Sequence, residues 1–206
     1  MLRLGLTGGI ASGKSAVAGM LRELGFQVLD ADRLSHHLME PGQAAYGEIV
    51  QAFGPEIKDP AGNIDRSKLG AIVFADPQKL AMLNSILHPK VDAAITRQFD
   101  EWERSGVRDA AFVEAALLIE AGMDKKLDGL VVVWCKPEQQ IERIQARGLS
   151  ETQARRRIAA QLPVEEKLRR ATYKIDCSCS LEQTRREVEA LAAKLRHPAQ
   201  QQPQNH

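Results

Sequence analysis

Eight consecutive residues can do chemistry by type and spacing alone: Gly8, Gly9, Ile10, Ala11, Ser12, Gly13, Lys14 and Ser15. They satisfy the pattern G-x-x-x-x-G-K-[ST] at every defined position. Glycines in such a loop let the backbone curl so that successive N–H groups point at phosphate oxygens. A helix that follows directs its positive N-terminus at the same anion. Lys14 is then expected to reach the β- and γ-phosphates of a nucleotide, and the Ser15 hydroxyl to ligate Mg²⁺.

Carboxylates and arginines supply the remaining candidates. Asp30 and Asp32 stand just after a short apolar run, at the carboxyl edge where α/β sheets bind ligands. Either one orients and deprotonates an acceptor hydroxyl or holds a cation through water, or else it caps the helix that begins near Arg33. Glu114 and Glu120 flank a third apolar run. Glu114 falls where a strand-end acid would meet a bound cation, and Glu120 reads equally as an exposed helix acid. Residues 143–174 hold seven Arg and two Lys against three Glu, a local charge of +6 in a chain whose formal net charge is +1. Arg143 and Arg147, four apart, would share one helix face. Such a patch can close over transferring phosphates, with Arg147 the favoured clamp. Arg155, Arg156 and Arg157 read better as a solvated face.

These side chains need elements to hold them. Residues 3–6, 26–29, 110–113, 130–134 and 173–176 read as short strands, separated by helical stretches. That alternation predicts an α/β fold, a doubly wound parallel five-stranded sheet. Two stretches lie outside the alternation. Residues 33–104 are nearly all helical in pattern, with a helix expected to end at His88, just before Pro89. Residues 138–171 are helical and arginine-rich. Ser150 with Gln153, and Ser180 with Gln183, fit capping boxes, and Leu181, Thr184, Val188, Leu191 and Leu195 give a packed closing helix. The Gln-rich end, 198–206, has nothing to bury and is expected to be disordered.

Composition limits the function classes. A near-neutral charge marks neither a nucleic-acid nor a membrane binder, and the longest aliphatic stretch, 130–135, is far short of the ~20 residues that a spanning helix needs. The sequence runs from Met1 straight into the loop strand without a leader pattern. Cys135, Cys177 and Cys179 are too few for a disulfide framework, and one C-x-C is a weak metal signal, so a reducing cytoplasm is expected. No obligate protein partner is evident. No Asn-Lys pair is present, which argues against a GTPase. A small phosphotransferase remains, its two helical stretches holding the acceptor and keeping water from the γ-phosphate. The rival readings are another small kinase of this build and a nucleotide-binding regulator without transfer chemistry. Having Lys14, Ser15, Asp32 and Arg147 together argues against the latter.

An ordered set of motifs resembles the dephospho-coenzyme A kinase family. It comprises the phosphate loop, Val28 to Asp32, Asn63 to Arg66 with Leu69 and Phe74, Leu87-His88-Pro89, Leu117 to Glu120, Arg147 to Ser150, Arg157-Ile158 and Gln161. The resemblance implies ATP-dependent phosphorylation of the ribose 3′-hydroxyl of dephospho-coenzyme A, with Mg²⁺. It implies three parts: a P-loop kinase core (1–32, 105–137 and 172–197), an inserted helical acceptor domain (33–104) and a helical lid (138–171). Carried over by position, Asp32 is the acid/base, and Lys14 and Arg147 are phosphate clamps. Arg66, His88 and Glu120 join Asp32 on the acceptor. The chain departs from the family pattern at Ala116, usually proline, at Glu114, more often Asp, and at Thr172, Cys177 and Cys179 near the adenine end.

Overall fold

The computed structural model describes residues 1–196. The expected disordered tail, 198–206, lies outside them. The chain divides into two compact units, one of residues 1–29 with everything from Phe99 onward, the other Asp30–Gln98.

The first unit is built on five strands, β1 (Leu2–Gly8), β2 (Gln27–Asp30), β3 (Ala110–Glu114), β4 (Gly129–Trp134) and β5 (Tyr173–Asp176), in the order β2-β3-β1-β4-β5. β1 pairs in parallel with β3, Leu4 opposite Phe112, and with β4, Leu6 opposite Val131; β4 pairs in parallel with β5. The inner strands β3 and β4 are covered on both faces, so Ala110–Val113 and Leu130–Val133 read as apolar runs rather than alternating ones. Gly5 has no room for a side chain, because a Cβ would stand 2.7 Å from Leu130 Cδ2 and 2.9 Å from Leu118 Cδ1.

Helix α1 (Lys14–Glu23) starts directly from the loop after β1 and buries Val17, Ala18, Met20 and Leu21. It stops at Leu24 and Gly25, whose φ of 88° only glycine adopts without strain. On the same side the closing helix, Leu181–Arg196, buries Thr184, Val188, Leu191 and Leu195, as their spacing predicts. Its start is fixed by the Ser180 hydroxyl, which accepts from the Gln183 amide at 3.2 Å. Phe26 and Phe112 meet edge to face at 5.7 Å within this core.

The second unit is helical. It contains α2 (Ala31–Leu38), α3 (Tyr46–Phe53), α4 (Arg66–Ala75) and most of α5 (Pro77–Arg104). Asp65 caps α4 by accepting from the Ser67 and Lys68 amides. The helix break expected at His88 is not there, since α5 runs through Pro89. Proline in a helix interior frees the carbonyl four residues back. Here Ser85 and Pro89 both sit on the exposed side, so water can satisfy that carbonyl, while Val91, Ile95 and Phe99 bury the other face.

The arginine-rich stretch is three helices of the first unit: α6 (Pro137–Gln145), α7 (Glu151–Ala159) and α8 (Val164–Arg170); the closing helix is α9. The helix face expected to be shared by Arg143 and Arg147 does not form. The helix ends at Gln145, and Gly148 turns the chain at a φ of 87°. Among the described residues no helix is long and apolar enough to cross a membrane.

Candidate active site

The phosphate loop closes between β1 and α1. Gly9 O accepts from the Ser12 amide at 3.1 Å, and Gly13, at a φ of 106°, offers its carbonyl to the amides of Ala16 and Val17. Side chains are excluded on both flanks. A Cβ on Gly8 would lie 2.3 Å from Val133 O, and one on Gly13 2.9 Å from Cys177 Sγ. Gly8 is thus required by packing, and Gly13 by packing and by φ. Inside the loop the Ser12 hydroxyl is buried without a hydrogen-bond partner. A buried polar group is usually paired, so an orphaned hydroxyl beside curled amides is a place prepared for anionic oxygens.

Lys14 sits at the first position of α1 and donates from Nζ to Glu114 Oε1 at 2.7 Å. Glu114 ends β3 and is 5% exposed. Arg22 approaches its other oxygen at 3.6 Å. Burying a carboxylate is costly unless it is paired, and the two cations supply the pairing. Ser15 lies exposed in the first turn of the same helix. The described residues hold no cluster of three His, Cys, Asp or Glu that would cage a metal ion by itself. A cation carried on nucleotide phosphates takes only one or two protein oxygens, with phosphate and water completing the shell. The exposed Ser15 hydroxyl fits that donor set.

Three side chains from the arginine-rich stretch prop the loop, and of these the sequence reading gave a role only to Arg143, in a phosphate-closing patch with Arg147. Gln140 Nε2 donates to Ile10 O at 2.9 Å, and Gln161 Oε1 accepts from the Ile10 amide at 2.8 Å. Arg143 donates to Ala11 O at 3.2 Å and to Cys177 O at 2.8 Å. A second bracket stands behind the Leu117–Glu120 segment. Lys167, fully buried, donates to Ala116 O at 3.0 Å and pairs with Glu120 Oε1 at 2.9 Å. The Leu162 amide reaches the same oxygen at 3.0 Å. Burial works against the Glu120 charge, but the Lys167 ammonium and the Leu162 amide outweigh it and hold the carboxyl below its ordinary range. A buried lysine has no signal in one sequence, because lysines are almost always exposed.

The other expected residues fall as follows. Asp30 is the cap of α2, accepting from the Arg33 amide at 2.9 Å; Asp32, at the second helical position, is exposed. Arg147 is exposed in the turn after α6. Arg66 begins α4 and points a guanidinium nitrogen at His36 Nδ1, 3.2 Å away. His88 is exposed on α5. Thr172 closes the β4 edge, its hydroxyl accepting from the Leu130 amide at 3.0 Å. The phosphate loop, Lys14 and Ser15 thus share one strand–helix junction in the first unit. Asp32, Arg66 and His88 belong to the second.

The dephospho-CoA kinase family profile matches residues 2–183. The chain belongs to the dephospho-CoA kinase family. A dephospho-CoA kinase of Symbiobacterium thermophilum is 49% identical over 188 residues, 91% of this chain and 78% of the relative. Among solved structures, TT1252 from Thermus thermophilus superposes with a TM-score of 0.82 at 36% identity, covering 94% of this chain and 97% of its own. The dephospho-CoA kinase from Campylobacter jejuni gives 0.72 at 29% identity, covering 93% and 96%. Family membership makes the chain a kinase and a transferase, and ATP-using kinases work with a divalent cation.

Proposed function

We propose that this chain transfers the γ-phosphoryl group of ATP to the ribose 3′-hydroxyl of dephospho-coenzyme A, giving coenzyme A and ADP, the last step of coenzyme A biosynthesis. One observation supports it most: a complete phosphate loop, with Lys14 anchored on buried Glu114, in a member of this family. A new bond forms between the 3′-oxygen and the γ-phosphorus, and the bond from that phosphorus to the β,γ-bridging oxygen breaks. The hydroxyl proton passes to Asp32, which acts as general base.

In this reading Gly8, Gly9, Ile10, Ala11, Ser12 and Gly13 cradle the donor's phosphates, and Lys14 neutralises charge that builds on the transferring group. Ser15 holds the cation, proposed to be Mg²⁺, which supplies charge neutralisation on the phosphates when bound. Arg147 is the second phosphate clamp. Arg66, His88 and Glu120 join Asp32 on the acceptor, Glu120 through Oε2, since Lys167 and Leu162 both use Oε1. Residues 33–104 serve as the acceptor domain and 138–171 as the lid, and the reaction takes place in the cytoplasm.

The test is incubation with Mg-ATP and a panel of nucleoside, nucleotide and small-metabolite acceptors, followed by mass analysis. Coenzyme A formed from dephospho-coenzyme A alone is the expected result. Phosphorylation of another acceptor in preference, or ATP binding with no transfer at all, would overturn the reading.

A further inference from the structure

A side-chain carboxamide has an acceptor oxygen at one corner and a donor nitrogen at the other. Two glutamines can therefore hold both polar groups of one residue's backbone if they approach it by opposite corners. Ile10, inside the phosphate loop, is held in this way. Its amide donates to Gln161 Oε1 at 2.8 Å, and its carbonyl accepts from Gln140 Nε2 at 2.9 Å. The two glutamines come from different places, Gln140 from α6 and Gln161 from the connection between α7 and α8.

Three further observations show what this clamp does. Ala11, the next residue, has a φ of 58° and is the one non-glycine at positive φ among the described residues. Such a conformation persists only where the surroundings over-determine it. Arg143 takes Ala11 O at 3.2 Å, so Ile10 N, Ile10 O and Ala11 O are each held by a side chain from residues 138–171. Gly9 stands at an undefined position of the motif and has no positive φ, yet a Cβ there would lie 2.5 Å from Gln140 Nε2. The space beside Gly9 is the seat of that carboxamide, and Gln140 is a buried residue. Gln161 is fixed in turn, because the neighbouring Leu162 amide is tied to Glu120 Oε1 at 3.0 Å, which Lys167 also holds.

We propose that Gln140 and Gln161 are positioning residues for phosphoryl transfer, acting together through the Ile10 backbone to set the path of the phosphate loop; this rests on the dephospho-CoA kinase reading above. In that reading the donor's phosphates are gripped by loop amides, Lys14 and the cation, and neither carboxamide is needed for the grip. What the clamp supplies is a fixed loop, strained at Ala11, before the nucleotide arrives. Phosphoryl transfer depends on positioning, and a misplacement of about 1 Å can cost about 100-fold in rate. Loss of the clamp therefore shows in kcat, where the alignment is used, rather than in affinity, which many contacts share.

The test is steady-state kinetics of the full-length protein with Mg-ATP and dephospho-coenzyme A. Methionine keeps the length of glutamine and removes the carboxamide. Gln140→Met and Gln161→Met are each expected to lower kcat by about 10- to 100-fold, with KM for ATP and for dephospho-coenzyme A within about threefold of the unaltered values. Because both side chains act on one residue's backbone, their effects should not multiply. The double variant should keep a kcat within about threefold of the slower single variant. Thermal melts accompany the kinetics. Gln161 is half-buried in a connection rather than in a helix, so Gln161→Met decides alone if Gln140→Met does not fold. Unchanged kcat in folded Gln161→Met, a loss confined to KM, or losses that multiply in the double variant would overturn the positioning role while leaving the kinase reading intact. Failure of the unaltered protein to phosphorylate dephospho-coenzyme A would overturn both.

Discussion

The ammonium of Lys14 lies 2.7 Å from the carboxylate of Glu114, which joins the first turn of α1 to the end of β3 beneath the phosphate loop. The lysine proposed to meet a nucleotide's charge is held by a buried acid. Lys14→Ala should remove phosphoryl transfer without unfolding the protein. Loss of one comparable transition-state donor costs about 3–4 kcal/mol, a rate loss of hundreds-fold. Steady-state turnover with a far-UV spectrum checks it, and full activity in a folded variant would contradict the loop assignment.

Arg147 and Arg156 are both exposed, and only the first is assigned to the transferring phosphoryl. Arg147→Lys keeps the charge but loses the planar fork, so turnover should fall. Arg156→Lys should be almost silent. Equal effects at the two positions would show that the catalytic arginine is misplaced.

Lys167 and Glu120 make a pH prediction. The folded Glu120 carboxyl is held below its ordinary value, so the stability it contributes is present above the unfolded pKa, roughly 4.3. That stability is lost as pH falls through the lower folded value. Glu120→Gln should flatten this part of the acid-unfolding curve. Lys167→Met should cost about 1–3 kcal/mol, because Ala116 O and Glu120 lose a buried donor. Urea melts at pH 7 and pH 4 check both substitutions.

The cysteines separate by environment. Burial pushes the Cys177 thiol up to about 11 and raises Cys135 as well, whereas Cys179 is exposed. Thiolate is the reactive form. Alkylation of the folded protein at pH 7.5 should therefore label Cys179, with Cys135 and Cys177 modified only after unfolding. Peptide mapping by mass gives the answer, and rapid labelling of Cys177 would contradict the packing behind Gly13.

What could be read from the sequence was what has a period or a fixed spacing. β3 and β4 were legible as short apolar runs, β1, β2 and β5 as shorter or mixed stretches between helical ones, and α9 as a helical repeat ending at Leu195. The phosphate loop was legible because its glycines, Lys14 and Ser15 stand at a fixed spacing between a strand and a helix. Pro89 misled because a rule about backbone sterics takes no account of which side of the helix meets water. Arg147 was expected to continue the face of Arg143, but Gly148 ends the helix first. Lys167 and Gln140 were given no role, and Arg143 was read as part of a phosphate-closing patch with Arg147, because the contacts they make are long-range, 51, 130 and 132 residues away in the chain. No local pattern reports on such pairs. For Asp30 and Asp32 the sequence left capping and catalysis open to both. The cap of α2 is Asp30.

That division makes Asp32→Asn decisive for the acid/base role. Asparagine keeps the shape and loses the base, so turnover should fall by about 10²–10⁴-fold. ATP affinity should hold, because the loop and Ser15 are untouched. Near-normal turnover would contradict the assignment, and joint loss of ATP binding would point to a metal role instead.

The central claim is the identity of the transfer, and the position of the new phosphate tests it most directly. The protein is incubated with Mg-ATP and dephospho-coenzyme A, and the product is resolved by phosphorus NMR. The account predicts one equivalent of ADP per equivalent of coenzyme A, with the new phosphomonoester on the ribose 3′-oxygen. Release of ADP with free inorganic phosphate, or a phosphomonoester at any other oxygen, would contradict it.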